Sequence, residues 1–363
     1  MFFESINKPT LVLRPEIARK NIAKMAEKAR RSGVQFRPHF KTHQSKQIGE
    51  WFRAEGVNSI TVSSVEMAIY FAENGWTDIL IAFTANLREL DSINELAKKV
   101  HLGLLCEDMA TLTFFQNRLN SPVDFWLEAD NGSLRTGLPM SDTLSFLILA
   151  KTIHPPFTLK GILTHAGNTY KTHSPEEINL IYDQTLEGLK RLRHYLADAG
   201  YIVEISYGDT PALSRLQSFA GWNEVRPGNF IFFDSTQLYL GSCSEDEIAI
   251  RVACPVITVY PERNQLALYG GGVHLSKDSF QVNNRPYYGF VSFPTDNGWG
   301  PIIPDAYVSA LWQEHALVNL EPKWLKTIHS GDLLMVLPSH SCMTVDLYDF
   351  YITPDGQSIP IKS

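Results

Sequence analysis

The chain has 363 residues, of which 44% are apolar and 20% charged, and it carries a net charge of −7. This composition is typical of a folded globular protein and excludes a disordered chain, while the acidic balance argues against a nucleic-acid-binding protein. The length predicts one barrel-sized domain plus a second, smaller unit.

The sequence also bears on the cellular compartment. It contains no apolar run of about 18 residues, so no membrane span is predicted. The first residues, MFFESINKPT, have no basic start and are not expected to form a signal peptide. The cysteines Cys106, Cys243, Cys254 and Cys342 are scattered without a C-x-x-C pair. This pattern favours reduced thiols and a cytoplasmic location.

Short apolar runs alternate with amphipathic stretches through the first two thirds of the chain. After a strand at Thr10–Leu13 and a helix at Pro15–Arg31, eight strands are predicted at Val34–Arg37, Ser59–Val62, Asp78–Ala82, Leu102–Cys106, Val123–Glu128, Thr158–His165, Ile202–Tyr207 and Phe230–Phe233. Helices are predicted between most of them, at Ser45–Ala54, Val65–Asn74, Leu87–Val100, Asp108–Leu119, Ser141–Thr152 and from Ser174 to about Ala199. Such alternation predicts parallel strands with right-handed crossovers, and eight units predict a (β/α)8 TIM barrel over residues 14–238.

After Asp234 the helical periodicity fades. Aromatic and β-branched runs broken by Gly, Pro and Asn lie at Val252–Tyr260, Gln265–Leu268, Tyr288–Pro294, Leu333–Leu337 and Met343–Ile352. They predict an antiparallel β domain. Because the barrel already has eight strands, Thr10–Leu13 is assigned to this domain, which then comprises residues 1–13 and 239–363. The predicted fold class is therefore α/β, a TIM barrel with a C-terminal antiparallel β domain.

Lys41 lies in the segment RPHFKTH (residues 37–43), just after the first predicted barrel strand. The carboxyl ends of barrel strands form the face on which active sites assemble. Burial or cationic neighbours make a lysine nucleophilic, and Arg37, His39 and His43 are the expected neighbours because alternate residues of an extended segment point the same way. The alternative is a surface lysine in a basic turn.

Polar residues also follow three other predicted barrel strands. They are Asp130 and Arg135 after the fifth, His165 and Tyr170 after the sixth, and Gly208, Asp209 and Thr210 after the seventh. The last group can offer backbone N–H groups and a hydroxyl to a phosphate, at the usual phosphate position of such barrels. Arg135 can bind an anionic oxygen or simply bridge Asp130. For Gly208 to Thr210 the alternative is a plain Gly-Asp turn. For His165 and Tyr170 it is a loop histidine with its hydrogen bonds satisfied and a half-buried tyrosine.

His340 and Cys342 stand two residues apart in a stretch predicted to be extended, where such residues share one face. Imidazole plus thiolate is a soft ligand pair that favours zinc over manganese or magnesium. Two protein ligands leave positions open for water or substrate, which favours a catalytic ion over a structural one. The alternative is a free cysteine beside a loop histidine.

In their order along the chain, these landmarks resemble the fold-type III pyridoxal phosphate enzymes, specifically the metal-dependent D-serine dehydratase and D-threonine aldolase family with its alanine racemase-like barrel. The resemblance implies that Lys41 holds pyridoxal 5'-phosphate and that zinc, or alternatively manganese, binds His340 and Cys342. Further cofactor contacts are implied for Arg135, His165, Tyr170, Gly208, Asp209 and Thr210.

Smaller matches and departures refine the resemblance. Ser276-Lys277-Asp278 and Glu314-His315 match turns of the family, whereas Ser339 and Phe230 stand where an asparagine and a tyrosine are usual. Dehydratase-like members have His-x-Cys at the metal pair, and typical D-threonine aldolases have His-x-Asp.

The resemblance implies a lyase that eliminates the β-hydroxyl of a D-hydroxy-amino acid to give a keto acid and ammonia. D-Serine, D-threonine and D-3-hydroxyaspartate are the implied substrates. A D-threonine-type aldolase, an amino-acid racemase and a cofactor-carrying regulatory protein remain alternatives. A homodimer is expected, with a small-molecule substrate and without a nucleic-acid or membrane partner.

Overall fold

The structure is a computed structural model that describes residues 2–172 and 174–362. Packing divides it into two compact units. The barrel unit comprises Ala23–Gln44 and Gly49–Gly228, and the β unit comprises the residues up to Ile22, Ser45–Ile48 and the residues from Asn229 onward. The predicted domain limits, residues 14–238 for the barrel, stay a prediction.

Eight parallel strands form the barrel unit. They are Gln35–Phe36, Ile60–Val62, Asp78–Thr84, His101–Cys106, Asp124–Asp130, Thr158–His165, Glu204–Gly208 and Glu224–Val225, and the two-residue strand Leu138–Pro139 adds to the fifth. From the second strand to the eighth, each strand pairs with its neighbours in sequence, and the eighth also pairs with the first. A bridge between His39 and Thr61 joins the end of the first strand to the second. The ring is therefore closed, as predicted.

The helices of the barrel unit follow the predicted positions closely. They are Val65–Glu73, Leu90–Ala97, Met109–Arg118, Thr143–Thr152, Pro175–Asp198 and Pro211–Arg215, while Pro15–Arg31 and Lys46–Ala54 begin in the β unit. Short 3-10 turns lie at Phe40–Thr42, Leu87–Glu89 and Gly167–Lys171. None of the helices in the described part of the chain combines the length and apolar character needed to cross a bilayer.

A large aromatic side chain helps to fill the barrel interior. Trp126 packs with Leu80, Leu105 and Leu163, all nearly inaccessible to solvent. A Cβ atom at Gly161, on the adjacent strand, would come within 2.5 Å of the Trp126 ring. The glycine thus leaves the space that the indole occupies, in keeping with the dense packing of protein interiors.

The eighth barrel strand is Glu224–Val225, and its predicted position at Phe230–Phe233 is wrong. That segment instead begins with the 3-10 turn Asn229–Ile231. Its apolar side chains are buried, and Phe233 has a positive φ of 53°. A continuous apolar run indicates burial without distinguishing a strand from a turn, which explains the error.

The β unit is built around one mixed sheet that is mainly antiparallel. Its strands, in spatial order, are Gln265–Tyr269, His315–Asn319, Gly298–Leu311, Gly289–Thr295, Leu333–Pro338, Ile250–Tyr260, Thr10–Leu13, Phe350–Ile352 and Ser358–Pro360. The first also pairs with Ile250–Tyr260, which closes six of these strands into a small barrel. As predicted, Thr10–Leu13 belongs to this sheet, antiparallel to Ile250–Tyr260.

Short elements complete the β unit. They are the hairpin Phe280–Val282 and Arg285–Tyr287, the helices Ser235–Tyr239, Gly272–Leu275, Pro322–Leu325 and Ser341–Val345, and the 3-10 turns Phe2–Ser5, Asn229–Ile231, Glu245–Glu247 and Pro261–Arg263. The strand predicted at Met343–Ile352 is wrong over its first part, because the helix Ser341–Val345 occupies it and only Phe350–Ile352 is extended.

Candidate active site

Lys41 lies in the 3-10 turn Phe40–Thr42, after the first barrel strand. The Phe40 ring is fully buried, with its centroid 4.9 Å from that of Phe52 and 5.0 Å from that of Trp76. On the other side of the turn, Nδ1 of His39 accepts the backbone N–H of Lys41 at 3.4 Å. Core packing therefore sets the position of the lysine at the carboxyl end of the barrel strands.

Arg37 is buried, and its guanidinium pairs with Glu224 at 2.5 Å and with Asp78 at 2.7 Å. Both carboxylates belong to barrel strands, so this arginine neutralises charges inside the barrel unit. Its expected influence on Lys41 stays a prediction.

His43 is fully buried. The centroid of its imidazole lies 4.4 Å from that of the Phe40 ring and 5.5 Å from that of Phe52, on which it stacks. The segment leaves the extended conformation after His39, so the alternation of an extended strand does not apply here. The proximity of His43 to the lysine stays a prediction.

Other loops supply the charges around Lys41. Burial, followed by the positive charge of Lys41, holds the pKa of His39 well below its ordinary value. The same two causes lower the pKa of His165 to about 3. The guanidinium groups of Arg135 and Arg226 add to both effects. At neutral pH the imidazoles of His39 and His165 are therefore neutral, and they lie among the cationic side chains of Lys41, Arg135 and Arg226.

Arg226 was not among the predicted site residues. Its guanidinium is buried, where Nη1 donates to Oγ of Ser206 at 2.7 Å and Nη2 donates to the carbonyl of Thr164 at 2.9 Å. Burial lowers its pKa to about 10, which leaves it charged at neutral pH. No role was predicted for this arginine from the sequence.

Two glycines leave room beside these cations. A Cβ atom at Gly208 would lie 3.1 Å from Nη2 of Arg226, and one at Gly228 would lie 2.9 Å from Oγ1 of Thr42 and 3.1 Å from Cβ of His39. Close backbone approach, exposed N–H groups and a cationic surrounding are what an anionic phosphate group requires. The residues around Lys41 therefore fit pyridoxal phosphate.

The carboxylate of Asp209 points into the protein rather than towards a ligand. Its Oδ2 accepts hydrogen bonds from Thr169 Oγ1 at 2.8 Å and Tyr207 OH at 3.0 Å, and its Oδ1 accepts the N–H of Ala212 at 3.1 Å. Burial raises its pKa to about 6. A contact between Asp209 and a phosphate is thus confined to its backbone N–H, and the side chain holds the loop in shape.

Tyr170 reaches the same loop. Its hydroxyl accepts the backbone N–H of Thr210 at 3.4 Å, and its ring centroid lies 6.2 Å from that of His165. Thr210 is itself buried. The structure thus brings together three residues that were predicted to line the cofactor site, although their contacts with the cofactor stay a prediction.

Arg135 lies exposed in a loop that two carboxylates hold in place. Oδ1 of Asp130 accepts the N–H groups of Gly132 at 3.0 Å and Leu134 at 3.1 Å. At the other end, Oε2 of Glu107 accepts the N–H of Gly137 at 2.8 Å. The Asp130 carboxylate therefore accepts hydrogen bonds from the loop backbone, and the exposed Arg135 side chain can reach a ligand.

The metal pair lies in the β unit, but not in a strand as predicted. The strand Leu333–Pro338 ends before His340, which precedes the helix Ser341–Val345 that contains Cys342. The side chains nevertheless meet: burial lowers the pKa of His340, and hydrogen bonds to Asp278 and to Cys342 outweigh this effect and raise it. No cluster of three His, Cys, Asp or Glu side chains suited to a metal occurs among residues 2–172 and 174–362.

Each of the two proposed metal ligands contacts one further polar side chain. Nδ1 of His340 lies 2.7 Å from Oδ2 of Asp278, and Nδ2 of Asn229 lies 3.9 Å from Sγ of Cys342. Asn229 is held by the buried Asp234, whose Oδ2 accepts its amide N–H at 2.6 Å. An imidazole with one nitrogen occupied, beside a thiol, is a donor set that fits zinc. Spacing along the sequence gave no signal for Asp278 or Asn229 as partners.

Comparisons with known proteins identify the family to which the chain belongs. Residues 16–236 match the family described as alanine racemase, N-terminal domain, and residues 249–353 match the putative serine dehydratase domain. The first match alone covers more than half of the chain. This chain belongs to the alanine racemase-like family. The predicted family and fold class are thereby confirmed.

Relatives that match over nearly their whole length show which enzymes of the family this chain is similar to. A D-serine dehydratase of Dictyostelium discoideum is 28% identical over 98% of this chain and 95% of its own length. D-threo-3-hydroxyaspartate dehydratase of Delftia sp. HT23 is similar in structure, with a TM-score of 0.90, 27% identity, and coverage of 99% of this chain and 98% of that one. Two mutants of this enzyme are similarly close, one with a histidine replaced by alanine and one, in the metal-free form, with a cysteine replaced by alanine.

Proposed function

We propose that the chain is a pyridoxal phosphate- and zinc-dependent lyase that eliminates the β-hydroxyl of a D-3-hydroxy-amino acid, giving a keto acid and ammonia. One observation supports the metal pair. The histidine and cysteine replaced in two mutants of a D-threo-3-hydroxyaspartate dehydratase are two residues apart, the spacing of His340 and Cys342, and the structure of the cysteine mutant is that of a metal-free form.

Lys41 has two roles in this proposal. Its amine binds the cofactor, and after substrate has displaced it, Nζ removes the proton from the α-carbon. Arg135 and Arg226 offset the negative charge of the cofactor and of the substrate carboxylate. The neutral ring of His165 packs by the cofactor without adding a further charge.

His340 and Cys342 hold the zinc ion and leave its other positions to water and substrate. When bound, the cofactor delocalises the electron pair left at the α-carbon, and zinc makes the β-hydroxyl a better leaving group. The hydroxyl would leave as water with the proton that Lys41 takes from the α-carbon, and the enamine product would hydrolyse in water to the keto acid and ammonia. A soft thiolate and imidazole favour zinc over manganese at this pair.

The remaining features are proposals of the same kind. D-Serine, D-threonine and D-3-hydroxyaspartate are the proposed substrates. A cytoplasmic location is proposed as well, because four scattered cysteines without a C-x-x-C pair favour a reducing compartment. We expect a homodimer, which light scattering of the purified holoenzyme measures directly.

Product analysis tests the reaction. The purified protein, loaded with pyridoxal phosphate and zinc, is incubated with each D-amino acid and with its L-enantiomer, and ammonia, keto acid, glycine and the opposite enantiomer are measured. Equal amounts of keto acid and ammonia from the D-enantiomer are expected. Glycine with an aldehyde indicates an aldolase and the L-enantiomer a racemase, and either result contradicts the proposal, as does the absence of any product.

A further inference from the structure

We propose that Asp278 is a positioning residue that orients the His340 imidazole for metal binding and strengthens its donor nitrogen. This inference rests on the proposed zinc site. Asp278 stands 62 positions before His340 in the sequence, yet its Oδ2 lies 2.7 Å from Nδ1 of the imidazole. The contact assigns a role to a residue that has none in the reaction as proposed above.

The hydrogen bond selects one tautomer of the histidine. A carboxylate only accepts, so Nδ1 of His340 carries the hydrogen that it donates to Asp278. When a metal binds, Nε2 gives up any proton that it holds and becomes the donor nitrogen, because Nδ1 keeps the hydrogen that it donates to Asp278. Without a fixed acceptor the neutral ring distributes its hydrogen between both nitrogens and turns more freely, and both effects weaken metal binding.

The local backbone holds Asp278 in place. Ser276 is buried and has a φ of +64°, a conformation that non-glycine residues rarely adopt. Its hydroxyl accepts the backbone N–H of Asp278 at 3.3 Å. Strained residues persist where the surrounding structure determines them, and they cluster at functional sites.

The same segment is tied to the helix that carries the second ligand. Oγ1 of Thr344 donates to the carbonyl of Leu275 at 3.0 Å, and Thr344 and Cys342 belong to the helix Ser341–Val345. The turn with Asp278 and the helix with Cys342 are therefore joined independently of the His340 ring. Asp278 can fix the angle at which His340 faces a metal shared with Cys342.

Partial exposure limits the size of the effect. The His340 side chain is 38% exposed and that of Asp278 is 46% exposed, so water competes for the hydrogen bond. Replacing such outer partners of metal-binding histidines usually lowers metal affinity by about 10- to 100-fold. We expect a value near the lower end, about tenfold.

The test measures metal binding as well as activity. Zinc is stripped from the holoenzyme and its affinity is titrated against a competing chromophoric chelator for wild type, Asp278→Ala, Asp278→Asn and the control Asp296→Asn, which removes an exposed carboxylate from the same unit. Asp278→Ala should bind zinc about tenfold more weakly. Asp278→Asn should lose less, because its amide oxygen still accepts the hydrogen bond, and the control should match wild type.

Cobalt substitution separates positioning from collapse of the site. At saturating Co²⁺ the thiolate-to-cobalt absorbance of Cys342 should persist in every variant. Unchanged zinc affinity in Asp278→Ala overturns the positioning role and leaves the proposed function intact, and loss of the cobalt–thiolate band in that variant also overturns it. If Asp278→Ala does not fold, wild-type zinc affinity in Asp278→Leu, whose side chain cannot accept a hydrogen bond, is the contradicting result. Zinc binding by wild type that does not depend on His340 overturns the proposed function together with this inference.

Discussion

The backbone N–H of Lys41 donates to Nδ1 of His39 at 3.4 Å, so a neutral imidazole holds the main chain of the proposed cofactor-binding lysine. Gly228 packs against the same histidine, at a distance where a Cβ atom would lie 3.1 Å from that of His39. The position of Lys41 therefore depends on a glycine far away in the sequence.

Gly228→Ala should disturb the turn that contains Lys41. The added methyl group would come 2.9 Å from Oγ1 of Thr42 and would push the turn that contains Lys41. We expect a loss of about 1–3 kcal/mol in the free energy of unfolding and weaker cofactor binding, measured by urea unfolding and by absorbance titration with pyridoxal phosphate. Gly167→Ala is the matched control, because its nearest neighbour atom would be at an ordinary 3.6 Å. Equal behaviour of the two variants would contradict this packing argument.

Lys41 should be the residue that binds the cofactor covalently. The purified protein is expected to be yellow, and borohydride reduction followed by peptide mass mapping should fix the cofactor on Lys41. Lys41→Ala should lose both the adduct and the activity, while Lys99→Ala, which alters an exposed lysine of the same unit, should keep both. Labelling of any other lysine would show that the assignment is wrong.

His101 should make stability depend on pH. Its imidazole lies 2.8 Å from Asp124 and 3.4 Å from Asp78, and hydrogen bonds to Asp124 and then Asp78 raise its pKa to about 10. A raised folded-state pKa stabilises the protein fully below the unfolded value near 6.5, and the contribution is lost as the pH rises through about 10.

The effect of His101 should be modest, because its side chain is 58% exposed. We expect about 1 kcal/mol at pH 6, since solvent screens such pairs. The difference in thermal midpoint between wild type and His101→Gln should shrink from pH 6 to pH 10. A difference that stays constant over this range would argue against the ion pairs as its cause.

Local signals in the sequence were sufficient for most helices. Ser174 before Pro175 marks the start of the helix Pro175–Asp198, and Gly200 with its φ of 91° marks the end, as predicted. The strand Gly298–Leu311 was missed because Pro301 and Pro304 interrupt its pattern, although prolines are tolerated at irregular positions of a sheet.

Site residues could be predicted where the resemblance supplied a motif. They could not be predicted where contacts between distant parts of the chain determine the position of a side chain. The spacing of His340 and Cys342 indicated a pair, but it could not show that a helix begins between them. Nothing in the sequence indicated the ion pairs of Arg37 with Glu224 and Asp78, because these carboxylates come from distant strands. Such long-range pairs leave no periodic signal in a single sequence.

The most direct test of the account compares two rates in D-serine dissolved in D2O, followed by NMR: α-proton exchange and keto acid formation. Cys342→Ala or chelated wild type should form keto acid about 100-fold more slowly or worse, equivalent to about 3 kcal/mol of lost leaving-group stabilisation. Exchange should fall much less, because removal of the α-proton by Lys41 does not depend on the metal pair. Added zinc should restore the chelated wild type and not the mutant. Undiminished keto acid formation by metal-free enzyme would contradict the account.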